Sequence, residues 1–163
     1  MSNSQFVRIE NVRLQNFAFG VFADNAFSIF INHSSAHNNA FNIVMGDNTT
    51  SWRVRDTTAS QGLMGVHMSP TARGHVVSGG RIESNWGPGV RIDGAMNVVE
   101  NTWFEGNGLF GATHNGVWVT SQAQKARILA NVFSSQTIAD TGLETQRCFN
   151  MSFAANSADV NQC

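Results

Sequence analysis

Two glutamates, Glu83 and Glu105, stand 22 residues apart, and each ends a short Arg/Trp-apolar-Glu segment: Arg81-Ile82-Glu83 and Trp103-Phe104-Glu105. Carboxylates held about 5–5.5 Å apart can cleave a glycosidic bond, one attacking while the other protonates the leaving oxygen, its pKa raised by the like charge beside it. Trp103 offers a face on which a sugar ring can stack, and Arg81 and Arg55 offer cations. The structural alternative is a solvated face on which Arg81 or Arg55 neutralises Glu83. A second set comprises His67, Arg91, Asp93 and Trp118. It supplies a base, a cation to hold a carboxylate, an acid and an aromatic ring, which suits an acidic glycan.

Such residues need a scaffold, and composition says which kind. Fifteen valines, twelve phenylalanines, fifteen glycines and eighteen asparagines outnumber five leucines, five glutamates and one lysine, Lys125. That is strand chemistry punctuated by turn chemistry, so an all-β chain is expected. With 163 residues, one domain is expected over 1–163, with a disordered or appended start at 1–5. Only 13% of residues are charged and the net charge is -1, which leaves no basic field for nucleic acid. The longest apolar stretch, Phe17 to Ala23, falls far short of the roughly 18 residues of a membrane span. Arg8, Glu10 and Arg13 interrupt the start, so no signal-peptide core is present in this chain. Cys148 and Cys163 are too few for a disulfide framework and read equally as one clip or two thiols.

An internal repeat sets the architecture. Segments opening at Ile9, Ile31, Val54, Val77, Val99 and Leu129 each reach Asn, Asp, His or Gly two positions on, at Asn11, His33, Asp56, Gly79, Asn101 and Asn131. The first five openings are separated by 22 or 23 residues, and a Gly-Val or Asn-Ile pair keeps step between them at Gly20, Asn42, Gly65, Gly89 and Gly116. Short strands at that period, with no helical stretch between them, describe a coil rising one strand spacing, about 4.8 Å, per turn: a parallel β-helix of about six to seven coils. A β-sandwich rarely keeps such even spacing. Two inward walls follow, Val21, Ile43, Val66, Val90, Val117 and Leu14, Ala36, Ala59, Ile82, Phe104. The Asn11 to Asn131 column is expected at a corner in left-handed backbone geometry, with stacked asparagines bonding one another.

Register then places the candidate residues. Gln15, His37, Ser60, Glu83 and Glu105 form one outward row, beside Arg13, Ser35, Thr58, Arg81 and Trp103. Glu10, Asn32, Arg55, Ser78 and Glu100 lie one row further. On the Gly-Val strand the outward row is Phe22, Val44, His67, Arg91, Trp118, followed by Asp24, Gly46, Ser69, Asp93 and Thr120. The apolar Phe22 and Val44 end is expected to pack against a neighbouring subunit. His33 and His37 fall on a bend and a strand, so no zinc site is expected, and Gly87-Pro88-Gly89 reads as a turn. Regular Thr-x-Thr rows, the mark of an ice-binding face, are absent.

The segments Arg81-Ile82-Glu83-Ser84-Asn85-Trp86-Gly87-Pro88-Gly89-Val90-Arg91-Ile92 and Trp103-Phe104-Glu105-Gly106-Asn107-Gly108 resemble coils of the pectin-lyase-like right-handed parallel β-helix superfamily, particularly domains of phage tailspikes and glycan depolymerases. The resemblance implies recognition and cleavage of a polysaccharide, by lyase or glycosidase chemistry, at an extracellular or virion surface. It also implies a homotrimer; no cofactor is expected from the residues, and calcium, which would need more oxygen ligands than they offer, is open only through the resemblance. The RxPxxR and WIDH-like motifs of pectate lyases and the GHG motif of polygalacturonases are missing, so no catalytic residue carries over. A non-catalytic glycan-binding or shaft domain uses the same coil. The first coil starts at Phe6 without the cap helix usual in that superfamily, so partners or flanking domains are expected to cover it.

Overall fold

The computed structural model describes residues 5–109 and 115–153. All strand pairings in it are parallel, and among the described residues there is no helix. Three sheets run the length of a coil. Sheet one stacks Gln5–Glu10, Phe27–Asn32, Arg53–Arg55, Val76–Ser78, Val98–Glu100, Arg127–Leu129 and Gln146–Cys148. Sheet two stacks Arg13–Gln15, Ser35–His37, Thr58–Ser60, Arg81–Glu83, Trp103–Glu105, Val132–Ser134 and Met151–Ser152. Sheet three stacks Phe19–Ala23, Phe41–Met45, Met64–Met68, Val90–Ile92, Asn115–Val119 and Thr137–Asp140. Coils are numbered below by their strand in sheet one.

This is the parallel β-helix expected from the period, and the sandwich alternative is excluded because each strand pairs with strands one coil away rather than with its chain neighbour. The two apolar walls form as read: Val21, Ile43, Val66, Val90 and Val117 are in register, as are Leu14, Ala36, Ala59, Ile82 and Phe104. All are buried except Leu14, which is partly covered in the first coil. Each fully buried valine or isoleucine of these walls contributes roughly 1.5–3 kcal/mol of transfer free energy. Phe104 stacks on Phe133 of the next coil, ring centroids 4.9 Å apart.

Two expectations need correction. Val99 pairs with Ile128, not Leu129, so Leu129 is an outward residue beside Glu100. The corner column is correspondingly Asn11, His33, Asp56, Gly79, Asn101 and Ala130, all with φ between 46° and 68°, and Asn131 falls one residue later, inside. The slip arises because alanine, a poor left-handed residue, holds a position that Asn or Asp fills elsewhere. Of the start expected to be disordered or appended, Gln5 opens the first strand, and residues 1–4 lie outside the described residues.

The amide stacking expected in that column occurs inside the next corner instead. Asn39, Asn85, Asn107 and Gln136 are buried at the same position of coils two, four, five and six, each following a residue in left-handed geometry. Their side-chain oxygens accept the backbone N–H of the coil before: Asn39 from Phe17 (2.9 Å), Asn85 from Gly62 (3.0 Å), Asn107 from Asn85 (3.3 Å) and Gln136 from Asn107 (3.0 Å). These bonds satisfy corner N–H groups that no strand pairing reaches. A similar column holds Trp52, His75 and Asn97: the backbone N–H of Trp52 donates to His75 Nδ1 (3.0 Å) and the backbone N–H of His75 to Asn97 Oδ1 (3.0 Å). His75 Nε2 therefore carries its proton and donates to Thr49 Oγ1 at 3.1 Å.

At two further places a carboxylate leans over a glycine of the following coil. Asp24 Oδ1 fills the space a Cβ on Gly46 would need, and Asp56 Oδ1 does the same at Gly79. Cys148 is held in a disulfide, and Cys163 lies outside the described residues.

Candidate active site

On sheet three the register brings His67, Arg91 and Trp118 to successive coils of one outward row. Period-two alternation alone puts them there, since Val66 and Met68, Val90 and Ile92, and Val117 and Val119 point into the core. Asp93 follows Arg91 at the end of its strand and is 2% exposed. It is the hub of the group. Its Oδ2 lies 2.8 Å from His67 Nε2, Arg91 Nε donates to both of its oxygens (3.1 and 2.9 Å), and Thr120 Oγ1 donates to Oδ1 at 2.7 Å.

Burial by itself would raise the Asp93 pKa, but the hydrogen bonds from His67, Thr120 and Arg91, with the charge of Arg91, overcome it and hold the carboxyl down at about 2. Asp93 thus stays ionised and orients its neighbours, which does not suit the proton-donating role expected of it. With Asp93 accepting from Nε2, the neutral imidazole of His67 keeps its lone pair on Nδ1, the arrangement of a general base. The guanidinium of Arg91 lies 4.8 Å from the ring centroid of Trp118, on one of its faces. Thr120 had no assigned role, although it shares the Asp93 row and its hydroxyl completes the carboxylate's shell.

Sheet two also assembles its set. Glu83 and Glu105 are partners in register, as are Arg81 and Trp103. Arg81 Nη2 lies 2.7 Å from Glu83 Oε2 and 3.3 Å from Glu105 Oε2, and Trp103 Nε1 donates to the same Glu105 oxygen at 3.1 Å. A guanidinium therefore stands between the two carboxylates and offsets their mutual repulsion. Arg55 takes no part in this group. It lies on sheet one across the bend at Asp56, flanked in register by Asn32 and Ser78.

Calcium does not fit either group. It takes six to eight oxygens, whereas both Asp93 oxygens already take His67, Arg91 and Thr120 donors and sheet two brings only two carboxylates together, with the Arg81 guanidinium between them. Among the described residues no three His, Cys, Asp or Glu side chains converge on one point. His33 and His37 sit as expected on a bend and a strand, His33 Nε2 being 3.6 Å from Asp56.

The apolar end of the sheet-three row is more covered than expected. Phe22 is 38% exposed, but Val44, between Phe22 and His67, is buried. Phe19, 46% exposed, stacks on Phe41 with centroids 5.5 Å apart.

Residues 1–159 match the family described as right handed beta helix region. Among solved structures, an alginate lyase from Paenibacillus sp. str. FPU-7 superposes with a TM-score of 0.66 at 16% identity, covering 97% of this chain and 74% of that one. A mutant of the periplasmic alginate epimerase AlgG superposes with a TM-score of 0.59 at 10% identity, over 97% of this chain and 34% of that one. A comparison of the sequence with curated proteins found no match.

Proposed function

We propose, on the premise that the chain belongs to the right-handed β-helix family of pectin-lyase-like fold, that it binds an acidic polysaccharide across sheet three and cleaves it by β-elimination. The observation that carries this reading is the 2.8 Å contact between His67 and the buried, ionised Asp93, with Arg91 fixed beside it. In the proposed step Arg91 faces the uronate carboxylate and offsets its charge. His67 Nδ1 takes the proton from the carbon next to that carboxylate. The electron pair left behind forms a carbon–carbon double bond, and the glycosidic oxygen leaves and takes a proton from water. The two structural neighbours are by name an alginate lyase and an alginate epimerase, and elimination and epimerisation of a uronate both start with that proton.

The setting proposed is a phage tailspike or secreted depolymerase acting at an extracellular or virion surface as a homotrimer, with residues 1–163 as one domain of the assembly. The exposed Phe19 and Phe22 support a packed neighbour at the first coils. A second reading, a glycan-binding or shaft domain without chemistry, is favoured by the engagement of Arg91 Nε with both Asp93 oxygens.

The test is incubation of the purified chain with alginate, polygalacturonate and bacterial capsular polysaccharides, following ultraviolet absorbance of unsaturated ends and the release of reducing ends. Unsaturated product is expected. Binding without product selects the binding module, and neither binding nor product selects the shaft.

A further inference from the structure

The outward row of sheet three ends asymmetrically. Arg91 covers one face of the Trp118 ring from the coil before, but the residue in register on the coil after is Ala139. A methyl group cannot cover an indole. Sheet three has six strands to the seven of the other sheets, so among the described residues no further strand lies beyond Thr137–Asp140 to close the row. Trp118 is partly exposed, and with Arg91 over one face of its ring the other face is the one on the side of Ala139 and coil six, two rungs, or about 9.5 Å, along the coil axis from His67.

We infer that this open face of Trp118 is a sugar subsite, in which a pyranose ring lies over Ala139 and stacks its C–H face on the indole, so that the glycan runs along the coil axis from His67 toward coil six. The inference rests on the reading of sheet three as the polysaccharide site and deepens it by giving the chain a direction and a neighbouring subsite. Three observations converge. Aromatic rings of this size bind flat apolar surfaces through area and quadrupole together. The guanidinium on the far face fixes the ring's plane, so little side-chain freedom is lost when a sugar arrives. The small residue at 139 puts no side chain larger than a methyl group at the next position of the row, on the same face as the proposed base.

The decisive variant is Ala139→Trp, which adds a ring to the stack and fills the slot. It is expected to keep or raise the melting temperature, because the row gains a stacked pair, while weakening binding of alginate oligosaccharides of graded length at least tenfold by calorimetry. Ala139→Ser should bind like wild type. Trp118→Leu keeps an apolar side chain under Arg91 but removes the flat face, and is expected to lose binding tenfold with His67 in place. Wild-type affinity in a folded Ala139→Trp variant overturns the inference and leaves the sheet-three reading standing. Should Ala139→Trp fail to fold, undiminished binding by Trp118→Leu overturns it. If wild type binds no oligosaccharide or polymer of the panel, the functional reading falls first and the subsite with it.

Discussion

Asn42 and Asn85 are 43 positions apart, yet Nδ2 of the first lies 3.1 Å from Oδ1 of the second. The contact skips a coil. Coil three has Gly62 where coils two, four, five and six carry Asn39, Asn85, Asn107 and Gln136, and Asn42 reaches across from coil two to occupy the gap. Its amide also donates to the Ser60 carbonyl at 3.0 Å and its oxygen accepts from Asn39 at 2.9 Å.

Asn42→Ala is therefore expected to remove three buried hydrogen bonds, to Ser60, Asn85 and Asn39, at a cost of about 0.5–1.5 kcal/mol each, because the Ser60 carbonyl keeps the Asn38 N–H and the Asn39 amide keeps the Leu14 carbonyl. Chemical denaturation would measure it. Gly62→Ala should also destabilise, since its Cβ would stand 2.8 Å from the Asn39 carbonyl oxygen and 2.7 Å from the Asn42 amide.

His75 gives the fold an acid slope. Burial chiefly, with the nearby charge of Arg53, lowers its pKa from 6.5 to about 4 against a raising hydrogen bond at Thr49. As pH falls below 6.5 the unfolded chain takes up a proton that the folded chain refuses, so stability drops until about pH 4, by about 3 kcal/mol. His75→Asn keeps an acceptor for the Trp52 N–H, as Asn97 provides one coil later, and should flatten that slope in melts between pH 7 and 4.

Asp93 acts in a lower window. Its folded-state pKa of about 2 lies below the ordinary 3.8, so its contribution is complete above about pH 4 and fades as pH falls through 2. Asp93→Asn should destabilise the chain at neutral pH and strip His67 of its orienting carboxylate. Turnover is expected to fall at least a hundredfold, while His67→Gln abolishes turnover with glycan binding kept.

Glu83→Gln and Glu105→Gln separate the two faces. With the chemistry on sheet three, both variants should turn over polymer like wild type and show at most a small drop in melting temperature, as expected of an exposed ion pair. A loss of turnover by orders of magnitude in either would move the chemistry to sheet two, and Trp103→Ala would then weaken binding.

The coil was legible because strand periodicity and the 22 to 23 residue period reinforce each other over five coils, and the rows that put His67 beside Arg91 and Arg91 beside Trp118 follow from them by counting. The slip at Leu129 shows the limit. Where Ala130 takes the left-handed position, the nearest asparagine becomes a false landmark. The buried amide stack was hidden for a related reason: asparagine is abundant and serves both exposed corners, such as Asn38, and buried ones, such as Asn39, and Gly62 interrupts the series. The diagonal contact from His67 to Asp93 depends on a side chain turning inward at a strand end, which alternation does not describe. Arg81 between the glutamates was visible as a neighbour, but only geometry shows it touching both.

The carboxylates of Asp24 and Asp56 stand where Gly46 and Gly79 lack side chains, as the amide of Asn42 does for Gly62. Each of these positions is shared property of two coils. A side chain at any of the three glycines would have to displace the donor residue and would still meet the Ala23 carbonyl at Gly46, the Asn39 carbonyl at Gly62 or a left-handed backbone at Gly79, so each glycine and its donor, about one turn apart in the sequence, are expected to be kept together. A single coil lifted from this chain and spliced elsewhere would carry either an occupant without its vacancy or a vacancy without its occupant, so the transplantable unit spans two coils.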